Sequence, residues 1–227
     1  NRIDQIISNY TASGLLSKYF PDYIYSTQLQ KPSLSEYQKN DGGLSLLPYS
    51  DSDLELTAKL TALAKSMINT ESLKNYYYKI LENSSSAGDK AKALYGLAVL
   101  KEPVLLSLEK VALTDNLTVK DLAYISLAYC ELGDISTAEQ IYNDRIYPLV
   151  EEFKPYYRIN TGNDKDDTLE VTSLCAYLAA RLEKSESEGL YEYCVNNYVK
   201  DILLNTEKLL FISTQIENKD SEPGKVT

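Results

Sequence analysis

Asp121-Leu122-Ala123-Tyr124-Ile125-Ser126-Leu127-Ala128 decides the fold, because a segment of this kind returns at four other places in the chain. With Thr57, Ala91, Asp121, Thr172 and Thr206 set in register, Leu63, Leu97, Leu127, Leu178 and Ile212 fall at one position. Small residues follow at Ala64, Ala98, Ala128, Ala179 and Ser213. The apolar anchors lie 34, 30, 51 and 34 residues apart. A period of roughly 30 to 50 residues belongs to arrays of helical pairs, in which one helix of each pair faces inward and cannot bury its apolar face alone.

Working outward from these segments, apolar residues recur at helical spacing in long blocks, so nearly the whole chain reads as helix. A first helix is predicted from Asp4 to Tyr19, stopped by Pro21, and a short one from Ser33 to Lys39, ended by Asn40-Asp41-Gly42-Gly43. Asp53 N-caps Leu54 to Met67, paired with Glu71 to Glu82. Ala87 to Leu100 pairs with Pro103 to Val111, and Thr118 to Leu132, closed by Gly133, pairs with Ile135 to Arg145. Pro155 to Asp167 reads as irregular. Thr168 to Leu182 pairs with Leu190 to Leu203, and Asn205 to Glu217 is the fifth repeat helix. The fold class is therefore all-α. One domain is expected over residues 1–217, with a flexible polar tail over 218–227 that holds Pro223-Gly224.

Composition narrows the function. The 227 residues are 44% hydrophobic, enough for one sizeable core. A formal net charge of -10 disfavours nucleic acid and acidic membrane surfaces as partners. No apolar run reaches the ~18 residues of a membrane span, so no membrane insertion is expected. The start, Asn1-Arg2-Ile3-Asp4, has neither a basic region nor an apolar signal core, and the chain reads as an excised domain. The absence of histidine removes the commonest general base and the commonest transition-metal ligand, so no cofactor or metal is assigned. Cys130, Cys175 and Cys194 read as core thiols. The 20 tyrosines, beside three phenylalanines and no tryptophan, read mostly as packing residues at the rim of a helical layer. Within Tyr76-Tyr77-Tyr78 at least one ring must face the core, because three successive helical residues cannot face one way.

Gln38-Lys39-Asn40-Asp41-Gly42-Gly43-Leu44-Ser45, followed by Ser52-Asp53-Leu54-Glu55-Leu56-Thr57-Ala58, resembles the "Q-x-x-D-G-G-aromatic" and "S-D-x-x-x-T-A" passage of bacterial alpha-macroglobulins. Lys90 to Ala98 and Ala123 to Asp134 are similar to that family's "A-x-A-L-Y-x-L-A" and "L-A-L-A-x-x-x-x-G-D" helices, so the resemblance covers most of the chain. It implies the thioester-containing domain, an alpha/alpha toroid of five to six helix pairs. It also implies a secreted or surface-tethered bacterial protein whose partners are its own other domains and, through peptidase inhibition, a protease or surface protein. The family's chemistry rests on Cys-x-Glu-Gln, whose cysteine and glutamine condense to an internal thioester. The best match here is Arg2-Ile3-Asp4-Gln5-Ile6-Ile7-Ser8, in which Gln5 and Ser8 agree, Asp4 replaces Glu and Arg2 stands in place of the cysteine. A guanidinium cannot form a thioester. Either the chain has lost the thioester and serves as a non-catalytic structural or protein-binding module, or the motif lies upstream of residue 1.

Other readings stay open beside this one. Asp164-Lys165-Asp166-Asp167 fits the D-x-D-D pattern of class II terpene cyclases, where clustered carboxylates keep one proton available, but with no tryptophan to guide cations the simpler reading is an acidic N-cap turn before Thr168. Protein prenyltransferases share the toroid, though their zinc set needs a histidine. Leu132-Gly133-Asp134 with Ala138 resembles a tetratricopeptide helix pair, which would make the chain a protein-interaction adaptor. Asp51, Asp53 and Glu55 read as a capped helix start, since calcium loops draw more oxygens from one loop.

Overall fold

The computed structural model describes residues 1–23, 30–162, 164–197 and 204–221. It is 67% helical, with ten α-helices among the described residues and one small antiparallel sheet of two strands. The all-α class holds at that level. The chain forms two compact units, Asn1–Leu149 and Val150–Thr227, where the sequence reading drew one domain.

In the first unit, α1 (Ile3–Tyr19) is followed by α2 (Leu54–Ala64), α3 (Thr70–Asn83), α4 (Ala87–Val99), α5 (Leu105–Ala112), α6 (Val119–Leu132) and α7 (Ile135–Ile141). Local chemistry starts and stops these helices. The side chains of Asp53, Asn69, Ser86 and Asp134 each accept a backbone N–H in the first turn of α2, α3, α4 and α7. Thr118 and Asp121 form a reciprocal capping box at the start of α6, and Gly133 ends it in the left-handed conformation at φ 87°. After α7 a π-type turn, Tyr142–Ile146, replaces the α-helix expected to Arg145.

Helix α4 packs on α2 and α6, while α3 and α5 lie against α4. Burial shows which helices are inside. Every residue from Ala93 to Val99 of α4 is buried, as is every residue from Asp121 to Cys130 of α6. By contrast, α5 buries only Leu108 and Val111. A helix apolar on all sides is one surrounded by protein, and one with a single apolar stripe is a cover. The core also takes whole tyrosines, against the rim expected for them: Tyr77 and Tyr124 are completely buried. Tyr77 is the most deeply buried ring of its triplet, with Tyr76 buried beside it, and its hydroxyl lies 2.6 Å from Thr61 Oγ1.

The second unit opens on a hairpin, where the sequence assigns no element to Val150–Phe153 and reads Pro155 to Asp167 as irregular. Strand β1 (Val150–Phe153) pairs with β2 (Tyr156–Ile159), with Val150 opposite Ile159 and Phe153 opposite Tyr156. The hairpin packs on α8 (Lys165–Arg181) and α9 (Ser187–Asn196), and α8 also packs on α10 (Leu204–Ser221). Phe153 meets the ring of Tyr193 edge-on at 5.6 Å between centroids, and the Arg158 guanidinium lies 4.5 Å over Phe153.

Three further expectations change. Ser33–Lys39 is no helix: Leu34 O accepts from both Tyr37 N and Gln38 N in a single turn, after which Gln38 bridges to Leu44. Helix α10 continues to Ser221, through the first residues assigned to a tail; residues 222–227, with Pro223-Gly224, and 198–203 of the predicted Leu190–Leu203 helix lie outside the described residues. The fifth anchor is displaced as well. Ile212 is exposed and Phe211 is buried, because α10 buries one stripe through Thr206, Glu207, Phe211 and Thr214, where α8 is enclosed from Val171 to Ala180.

Candidate functional site

Arg2, Asp4 and Gln5, the residues expected to correspond to a thioester motif, lie at the start of α1. Arg2 is the N-cap residue, and its Nε and Nη2 each donate to a different carboxylate oxygen of Asp4 at 3.0 Å, a two-point pair on a carboxylate that is almost fully buried. Gln5 is exposed in the same first turn. Ile3 and Ile7 are completely buried and fix the rotation of the helix. Two hydrogen bonds tie this start to a distant stretch: Ile3 N donates to Leu46 O at 3.1 Å, and the Tyr37 hydroxyl donates to Asn1 O at 2.7 Å. The start of the chain and residues 37–46, which overlap the first passage of the resemblance, are therefore neighbours.

That first passage is a tightly tied turn. Gly42 adopts φ +99°, and a Cβ there would lie 2.0 Å from Ser72 O, so only glycine fits. Asp41 Oδ1 accepts from Gly43 N at 2.9 Å. The Gln38 amide donates to Asn69 O at 2.9 Å and accepts from Asn69 N at 2.8 Å, joining the turn to the N-cap residue of α3. Leu44, buried at the end of the turn, donates its N–H to Thr57 Oγ1 at 2.9 Å. Thr57 is the first of the five register positions, and all five residues there are buried.

The fourth register position repeats this device. Thr172 Oγ1 accepts from Ile159 N at 3.0 Å, again from a buried residue thirteen positions earlier that ends a strand pairing. Sequence reasoning missed this role, although the register had singled out both threonines.

It also missed an ionic cluster. Glu55 lies 3.5 Å from Lys59, 3.5 Å from Lys92 and 3.2 Å from Lys120, drawing together α2, α4 and α6. The Lys59 side chain is only 1% exposed. The available signal was the register itself, since all four residues fall within two positions of Thr57, Ala91 or Asp121. A second network joins α3 to the end of α4. Lys74 pairs with Glu102 and Glu71, and Tyr78 donates to Glu102 at 2.8 Å. The Lys74 bond, with that of Tyr78, holds the Glu102 carboxyl below its ordinary range.

In the second unit, Asp164 is the N-cap residue of α8, its Oδ1 accepting from Asp167 N at 2.9 Å. Asp164 and Asp166 are exposed and Asp167 is half-buried, the geometry of an acidic first turn. Behind it the thiols of Cys175 and Cys194 are buried and unbridged, as is that of Cys130 in the first unit. Burial pushes Cys194 up to about 12 and Cys175 further still.

Among the described residues no helix is long and apolar enough to cross a membrane, and no three His, Cys, Asp or Glu side chains gather as a metal site would need. No family model, no curated protein and no solved structure matches the chain.

Proposed function

We propose that this chain is a thioester-domain-like module, an alpha/alpha toroid, of a larger secreted or surface-borne alpha-macroglobulin-like protein, and that it works by holding or binding protein without covalent chemistry. The observation that carries this reading is the joining of residues 1–8 to residues 37–46 through Ile3–Leu46 and Tyr37–Asn1. Segments that resemble two separate signatures of one domain sit together. The Arg2–Asp4 pair supports the loss of the thioester: the position of the reactive sulfur holds a cation already committed to a buried carboxylate. The enclosed helices α4 and α6, with α2 packed on α4 and with α3 and α5 beside them, support an array of hairpins in which inner and outer helices alternate. For Asp164, Asp166 and Asp167 the capping role accounts for their positions without a reaction.

The natural full-length protein, incubated with a broad-specificity endopeptidase, tests this reading. The expected outcome is a complex that survives native electrophoresis and falls apart in SDS. An SDS-stable adduct would contradict the loss of the thioester, and no complex at all would remove peptidases from the partners.

A further inference from the structure

We draw no further inference here: the strongest candidate, the side-chain cluster that gathers Lys59, Lys92 and Lys120 around Glu55 in the N-terminal halves of α2, α4 and α6, carries nothing, because Lys59 and Lys120 also engage further groups and no second observation in the structure points to a ligand there.

Discussion

The two units solve one packing problem with different amounts of slack. In each, a glycine lets a tyrosine ring come close to a helix backbone. A Cβ on Gly96 of α4 would come 2.2 Å from the Tyr77 ring, and one on Gly189 of α9 would come 2.5 Å from the Tyr157 ring. The clashes are nearly equal, but Tyr77 is completely enclosed with its hydroxyl bonded to Thr61, and Tyr157 is 37% exposed. A buried ring has nowhere to go, and a surface ring can swing aside. The difference teaches that the first unit is built around a rigid enclosed layer, while the second is a hairpin and helices with room at the edge.

The largest expected effect breaks this comparison directly. Gly96→Ala should destabilise the first unit by about 3 kcal/mol, the upper range for overpacking a core. Gly189→Ala should stay within about 1 kcal/mol of the parent, because Tyr157 yields and alanine favours the helix. Hydrogen exchange read at amides of each unit is the right measurement, since two units need not unfold as one. Equal losses in the two variants would mean that exposure of the ring does not set the cost.

Alkali should separate the units next. The folded-state values of Cys175 and Cys194 are raised, so the stability they contribute is complete below the ~8.5 of an exposed thiol and is lost as pH rises toward their folded values. At pH 10 this amounts to at most about 2 kcal/mol per thiol. In the first unit burial raises Tyr77 in the same direction, but a phenol starts from ~10, so its loss begins later. Exchange in α8 and α9 should therefore quicken between pH 8.5 and 10 before exchange in α3, which holds Tyr77 and no cysteine. A Cys175→Ala/Cys194→Ala variant should erase that order.

The smallest effects sharpen the comparison at the register threonines. Thr57→Val strips the buried Leu44 N–H of its acceptor and should cost about 2 kcal/mol. Thr172→Val does the same to Ile159 and should cost between about 1 and 2 kcal/mol, because Thr57 Oγ1 also donates to the Asp53 carbonyl. Thr206, at the fifth register position, is completely buried, and its hydroxyl has no hydrogen-bond partner among the described residues. Thr206→Val should be neutral or slightly stabilising in urea titration, since it removes a desolvated polar atom. A loss as large as that of Thr57→Val would show that the fifth register position makes the same tie.

The helices were legible because their signals are local. Asp53, Thr118 and Asp164 announce starts through side chains that bond within one turn, Gly133 announces an end through its backbone freedom, and the structure places each at an end. The hairpin was not, because Val150–Phe153 and Tyr156–Ile159 are four residues each, too short for alternation to stand out, and their pairing is fixed by packing on α8 and α9. Ser33–Lys39 failed for the opposite reason: a plausible local helix yields to the bridge between Gln38 and Leu44. At the candidate site, that Arg2 offers no thiol is readable from its own side chain. That residues 1–8 lie beside residues 37–46 is not, because hydrogen bonds from Tyr37 to Asn1 and from Ile3 to Leu46 leave no pattern in the intervening sequence.

The proposal holds that the reactive thiol of a thioester scaffold is lost here, and peptide mass mapping of the natural full-length protein after methylamine treatment tests that most directly. The expected result is no methylamine added anywhere in the protein and no thiol newly released. A peptide that gains one methylamine while a cysteine thiol appears would place a working thioester outside residues 2–5, and would contradict the account.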